Sequence, residues 1–308
     1  METSEMELLK RSSKFKTDEG LFGLITMALV VLCVLSMATL LNAESTFKIG
    51  AFNIQIFGDT KMNKDVCSNV IVQILARYDI VVVQEVRDSD LSAVTPLMEK
   101  LNSLSEHTYA YAISDPLGRQ SHKEQYLFIY RSDTVSVVDS YHYHDQSMYS
   151  GVDVFSREPF VMKFRSTCTA IKEYVLVPLH AAPKDAVREL DALYDVYEDI
   201  LKEWQTDNIL FLGDFNSDCS YVKEDDWCNI RLRTDQRFQW LIPDDMDTTV
   251  SHSHCAYDRI VASGKKMKNA IVPGSAGVFD YQEAFELTQE QALEISDHFP
   301  VEMDLKLA

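Results

Sequence analysis

The residues of this chain that could do chemistry stand where apolar runs stop. Asn53 ends Ile49-Gly50-Ala51-Phe52, Glu85 follows Val81-Val82-Val83-Gln84, and His180 follows Val175-Leu176-Val177-Pro178-Leu179. Asp214 and Asn216 close Ile209-Leu210-Phe211-Leu212-Gly213, and Asp297-His298 precede Phe299-Pro300-Val301. A rigid sheet fixes polar groups at its ends and leaves them open to substrate. An acid directly after a run that reads as a buried strand, as at Glu85, is costly unless it is paired or metal-bound. Asn53, Glu85, Asp214 and Asp297 are hard oxygen donors of the kind magnesium takes. A salt bridge from Glu85 to Arg87 is the plainer alternative. Each histidine has a candidate acid to fix its tautomer and raise its basicity, Glu124 for one and Asp258 for the other. Two such pairs beside oxygen donors point to general acid and base catalysis in the hydrolysis of a phosphate ester.

The elements that must position these residues read as a mixed α/β chain. Val66, Val70, Ile71, Ile74 and Leu75 recur at helical spacing before a strand over 80–84. Val187, Leu190, Leu193, Tyr194, Tyr197, Ile200, Leu201 and Trp204 make a second amphipathic helix before the strand that starts at Ile209. Tyr126 to Tyr130, Val135 to Tyr141 and Tyr257 to Ala262 read as strands, and Val301, Met303, Leu305 and Leu307 alternate with polar residues in a final one. So many strands in one domain predict two packed sheets with helices outside.

Residues 1–43 stand apart from this domain. Lys10, Arg11, Lys14 and Lys16 precede an apolar run from Leu21 to Leu41, and Leu40-Leu41-Asn42-Ala43 is a passable cleavage site before Glu44. A signal peptide addresses the chain to the secretory pathway and a secreted product. At roughly 20 residues the run is also long enough to span a bilayer, which leaves a retained type II anchor as the alternative. Residues 44–308 then form one catalytic domain with no need of a second core. Acidic residues outnumber basic ones, 48 to 29, for a net charge of −19. Such a field repels polyanions, so a nucleic-acid substrate requires bound cations and a few local Arg or Lys residues. A passive DNA coater is excluded. Of six cysteines, Cys219 and Cys255 flank candidate catalytic segments and could staple the loop between them. Cys67, Cys168 and Cys228 remain unassigned.

Taken in order, the motifs closely resemble the deoxyribonuclease I family. They are Phe52-Asn53-Ile54, Gln84-Glu85-Val86-Arg87-Asp88, Lys123-Glu124 with Tyr126-Leu127-Phe128, Pro178-Leu179-His180-Ala181-Ala182-Pro183, Gly213-Asp214-Phe215-Asn216, Cys255-Ala256-Tyr257-Asp258-Arg259-Ile260 and Ile295-Ser296-Asp297-His298-Phe299-Pro300-Val301. Ser156-Arg157-Glu158-Pro159 and the segment from Leu190 to Tyr197 join them. Any one motif would indicate only the wider superfamily of apurinic endonucleases, sphingomyelinases and inositol polyphosphate phosphatases. All of them, spread over residues 47 to about 306, are specific.

The resemblance implies a four-layer sandwich of two mostly antiparallel mixed sheets with helices outside and the site along one edge. It implies a monomer that cuts double-stranded DNA with little sequence specificity. His180 with Glu124 and His298 with Asp258 would share the acid and base roles, with water attacking phosphorus in line and the 3′ oxygen leaving, to give 5′-phosphate ends. Asn53, Glu85, Asp214 and Asp297 would hold catalytic magnesium or manganese, and Asn216 would donate to phosphate oxygens as their charge grows. Arg87 would enter the minor groove, and Arg157 and Tyr221 would meet phosphates. Structural calcium would be held by Asp145, Asp153, the Phe155 carbonyl and Glu158 in one loop, and by Asp247 and Thr249 in another. Ordinary acidic surface loops are the plainer reading of these. The Cys219 to Cys255 staple is implied as well.

The chain departs from that family at several points. Gln55 stands where an Arg faces DNA, and His122 where a Tyr packs on a sugar. Ser147 and Ser150 occupy the positions of a small second disulfide. Tyr111 and Asp115 are compatible with the surface that binds monomeric actin, but Phe160 replaces a small Ala there, which predicts a clash and no actin binding. The basic tail of the gamma-type members is missing after Leu305-Lys306-Leu307-Ala308. Two rivals come from other classes. A lipid or nucleotide phosphodiesterase of the same superfamily would share the metal site and His298 without needing Arg87, Arg157 and Tyr221, and a non-catalytic binding module would be free to lose its acid and base.

Overall fold

Apolar runs without a polar alternate bury both faces of a strand, and in this chain they make the inner strands of two sheets. The computed structural model describes residues 46–119, 121, 123–144 and 153–308. The expected leader, and with it the choice between secretion and anchoring, lies outside the described residues, as do Asp145, His122, Ser147 and Ser150. The first sheet contains β1 (Phe47–Phe57), β2 (Ile80–Val86), β3 (Tyr109–Ile113), β4 (Gln125–Arg131), β11 (Gly277–Val278) and β12 (Val301–Leu305). Its order is β11-β12-β1-β2-β4-β3. The second contains β5 (Val135–His142), β6 (Phe160–Ser166), β7 (Glu173–Pro178), β8 (Ile209–Asp214), β9 (Gln239–Trp240) and β10 (Asp258–Ser263). It is ordered β5-β6-β7-β8-β10-β9.

Side-chain alternation sorts each inner strand between two layers. Ile80 and Val82 of β2 meet Leu176, Leu210, Leu212 and Ile260 between the sheets. Val81 and Val83 pack outward under helices α1 (Asp65–Leu75) and α2 (Val94–Leu104). In the second sheet, Val175, Val177, Ile209 and Phe211 pack under α3 (Ala186–Trp204). Helix α3 presents Leu190, Leu193, Val196, Tyr197 and Ile200 as its buried stripe and ends at Gln205 in the left-handed conformation. A fourth helix, α4 (Gln289–Ile295), opens with a capping box between Thr288 and Gln291. Helix, sheet, sheet and helix are therefore the four layers, as the resemblance implied.

Strand direction places the polar residues. β1 and β2 are parallel, as are β7 and β8. β12, β4 and β10 run antiparallel to β1, β2 and β8. The carboxyl ends of the first four and the amino ends of the last three thus gather at one end of the sandwich. The final strand is shorter than its alternation predicted: it stops at Leu305, because Leu307 leaves to bridge Thr169.

One expectation needs correction. Phe160 does not stand out of the surface: it is 7% exposed. Its ring packs on Phe128 in the inter-sheet layer and lies under the His142 ring, stacked with centroids 4.8 Å apart. Burying a large apolar ring there is more favourable than leaving it in water.

Candidate active site

Each of the two histidines is held by an acid from the opposite sheet. His180, just after β7, bonds through Nδ1 to Glu124 Oε2 at 2.9 Å, and Glu124 precedes β4. His298, before β12, bonds through Nδ1 to Asp258 Oδ2 at 2.7 Å, and Asp258 opens β10. This leaves both Nε2 atoms facing inward. They converge on Asp214 Oδ2, at 3.6 Å from His180 and 3.5 Å from His298.

Each dyad is itself supported. Arg157 grips Glu124 twice, Nε to Oε2 at 2.7 Å and Nη2 to Oε1 at 3.0 Å, and donates a third bond to the His180 carbonyl. Burial alone would raise the Glu124 carboxyl, but His180 and Arg157 outweigh it and hold it down to about 2. Thr248 donates to Asp258 Oδ2 at 2.9 Å. Burial disfavours charge on His298, yet Asp258, Asp214 and Asp297 push its imidazole well above the usual histidine range.

The four expected metal ligands come together between the dyads. Asn53 Nδ2 donates to Glu85 Oε1 at 3.2 Å and to Asp214 Oδ2 at 3.0 Å. Asn53 Oδ1 and Asp297 Oδ1 are buried with no hydrogen-bond partner among the described residues. Orphaned oxygens of this kind are costly unless a cation meets them. The residues therefore fit a hard divalent ion, and Asp214, Asp258 and His298 also offer ligand atoms all within 4.8 Å of one another. The plainer alternative for Glu85 is present too, since Arg87 lies 3.5 Å from Glu85 Oε2 and 3.3 Å from Glu124. Glu85 adopts a φ of 58°, and Asn216 one of 47°, both in the left-handed region. Such strain collects where a side chain must be aimed against backbone preference.

Several supporting residues escaped the sequence reading. Gln84 spans the sheets, donating to the Leu179 carbonyl at 2.6 Å and accepting from Asp214 N at 2.8 Å. Gly213 makes room for it: with φ at 129°, a Cβ there would lie 2.4 Å from Gln84 Nε2. Ser296 donates to the Asn53 carbonyl at 2.6 Å and accepts from Gln55 N and His298 N. Gln55, named in the sequence reading only as standing where an Arg faces DNA, donates to Asp297 Oδ2 at 2.9 Å, fixing one oxygen and leaving the other to the site. Neutral residues inside apolar runs carry no sequence signal for such roles.

The expected substrate contacts divide. Tyr221 is exposed and stacks on Tyr257. Asn216 uses one amide N–H on the Ala181 carbonyl, leaving the other. Arg157 is mainly a support of the first dyad, though it also lines a cavity of about 640 Å³ with Arg87, Arg119, Lys184, Glu124 and Asp185. That wall is locally basic in an acidic chain, as a polyanionic substrate requires. In the first expected calcium loop, Arg119 donates to the carbonyls of Asp153, Val154 and Phe155 and to Asp153 Oδ2. Glu158 lies in the same loop, partly exposed. In the second, Asp247 Oδ1 accepts from Thr249 N and Oγ1 and from Cys255 N. Cys219 and Cys255 are bonded, and Cys67, Cys168 and Cys228 are free thiols.

Comparison with known proteins places the chain in a family. The model of the endonuclease/exonuclease/phosphatase family matches residues 50–298. The chain is 58% identical to mouse (Mus musculus) deoxyribonuclease-1-like 2 over 262 residues, covering 85% of this chain and 92% of that one. It is 53% identical to chicken (Gallus gallus) deoxyribonuclease-1, covering 91% and 99% of the two. Among solved structures, an endonuclease/exonuclease/phosphatase family protein from Leptotrichia buccalis superposes with a TM-score of 0.59 at 16% identity, over 85% of this chain and 99% of that one.

Proposed function

The chain belongs to the endonuclease/exonuclease/phosphatase family, and we propose that it is a deoxyribonuclease: a divalent-metal-dependent endonuclease that hydrolyses double-stranded DNA with little sequence preference. The observation that carries this reading is the convergence of two buried imidazoles, each oriented by its own acid, on one face of a carboxylate cluster. Relatives named deoxyribonuclease at 53 to 58% identity support DNA as the substrate.

The mechanism follows from how the two imidazoles are held. Asn53, Glu85, Asp214 and Asp297 would hold magnesium or manganese, which when bound neutralises charge on the phosphate. His298, its Nδ1 fixed on Asp258, is suited to give a proton to the leaving 3′ oxygen through Nε2. His180, its Nδ1 fixed on Glu124, is suited to take one from the attacking water through Nε2. The remaining N–H of Asn216 donates to a phosphate oxygen as its charge grows. The products are 5′-phosphate and 3′-hydroxyl ends. Arg87, Arg157 and Tyr221 line the approach of the DNA backbone, and calcium would add order at the loop of Asp247 and Thr249 and, by displacing Arg119 from Asp153 and the Phe155 carbonyl, at the loop of Asp153, Phe155 and Glu158.

The Cys219 to Cys255 bond supports passage through an oxidising compartment and secretion. Monomeric actin is not a partner in this reading, with His142 stacked over the buried Phe160 at the edge formed by β5 and β6. The deciding experiment is plasmid nicking with magnesium and calcium, with and without chelator, run beside a phospholipid-hydrolysis assay and an actin titration. Nicked circles that need metal and ignore actin are expected. Lipid hydrolysis with intact plasmid would overturn the nuclease reading.

A further inference from the structure

Glu189 carries a carboxyl group where burial is expensive. It lies on the inward face of α3, is wholly buried, and belongs to neither dyad. Its Oε1 accepts from the backbone N–H groups of Ser156 and Ala182, each at 3.2 Å. Its Oε2 is buried with no hydrogen-bond partner among the described residues. An apolar side chain at this helix position would remove the cost of burying a carboxyl. It would also leave two amides of the site loops without their acceptor.

Those amides belong to the two loops that build the first dyad. Ser156 precedes Arg157, which holds Glu124 by two bonds and the His180 carbonyl by a third. Ala182 lies two residues after His180. From these contacts we infer that Glu189 is a positioning residue of the hydrolytic site, whose two backbone bonds set the Arg157 loop against the His180 loop. The inference rests on the nuclease reading for its activity test.

Among the described residues, the charged and titratable groups facing Glu189 are Arg157 on the Ser156 loop, Tyr126 on β4 and Arg119 after β3. Burial raises the Glu189 carboxyl to about 7, against the opposing pull of Ala182, Ser156 and Arg157. A carboxylate accepts N–H bonds more strongly than a neutral acid. The two loops are therefore clamped above neutrality and loosened below it.

The test compares wild type, Glu189→Gln and Glu189→Ala in plasmid nicking from about pH 6 to about pH 8.5, with NMR of the Ser156 and Ala182 amides and the Arg157 Nε–H. Glu189→Gln, which keeps an acceptor oxygen, is expected to match wild type at the acid end and fall about tenfold behind at the alkaline end, while Glu189→Ala loses about tenfold or more throughout. In wild type alone, all three NMR signals are expected to titrate with one midpoint near neutrality. Parallel pH profiles for wild type and Glu189→Gln, or amides that titrate while the Arg157 signal stays fixed, would overturn the inference. A wild type that never nicks DNA defeats the nuclease reading instead, and the NMR titration then still decides the role of Glu189.

Discussion

His180 and His298 present their Nε2 atoms to the same oxygen, Asp214 Oδ2, at 3.6 and 3.5 Å. A phosphate held beside that carboxylate through a cation is within reach of both imidazoles, one to take a proton from the attacking water and one to give a proton to the leaving oxygen. Replacing either histidine by Ala is expected to lower nicking by about 10² to 10⁴ while the fold persists at assay temperature, with a lower melting temperature because Glu124 or Asp258 loses its buried partner. A variant with most of its activity would remove that residue from proton transfer.

Metal removal gives the second expectation. Asn53 Oδ1 and Asp297 Oδ1 have no hydrogen-bond partner among the described residues, so chelator is expected to abolish nicking, and magnesium or manganese to restore it. Calcium alone is expected to raise resistance to heat or protease without restoring turnover. Full activity in chelator would remove Asn53, Glu85, Asp214 and Asp297 from metal binding.

The pH dependence of stability follows from Glu124, 5% exposed. Its carboxyl is depressed from 4.5 to about 2 in the folded chain. The folded state binds this proton less readily than the unfolded state, so the stabilisation is full above pH 4.5 and lost as pH falls toward 2. Its size is about 3 kcal/mol. Denaturant titration of wild type and Glu124→Gln should show that difference at neutral pH, shrinking to nothing at the acid end. A gap independent of pH would mean that packing, not charge, sets it.

The disulfide joins residues 36 apart in sequence. Closing such a loop stabilises by roughly 4 kcal/mol on the chain-entropy estimate. Reduction, or the double replacement of Cys219 and Cys255 by Ser, is expected to lower the melting temperature while nicking at room temperature persists. Simultaneous loss of activity and no change in melting would contradict this order of events.

How much of this was legible in the sequence depends on the kind of residue. Glu85, His180, Asp214 and His298 announced themselves because charge at the end of a doubly buried strand needs a reason. The helices over 65–75 and 186–204 were legible from their apolar stripes, whereas α2, interrupted by Thr95-Pro96, and the short β3 and β11 carried too weak a period to be read. Gln84, Thr248 and Ser296 are neutral residues, and their roles exist only once segments distant in sequence meet. Phe160 shows the opposite failure. A large residue aligned with a surface position was expected outside, but its strand turns that side chain into the inter-sheet layer.

Glu124 with His180, Asp258 with His298, and Asn53 with Asp214 each join one sheet to the other. The reactive centre is therefore a seam, and its geometry reports how well the two halves of the sandwich are mated. Trimming a side chain far from the phosphate, such as Leu210 or Val82 in the shared layer, lets the halves settle closer or slip, and every proton-transfer distance changes at once. Variants of that layer should lose turnover out of proportion to their loss of melting temperature, and a chain that has begun to part along this plane should retain no fraction of its chemistry.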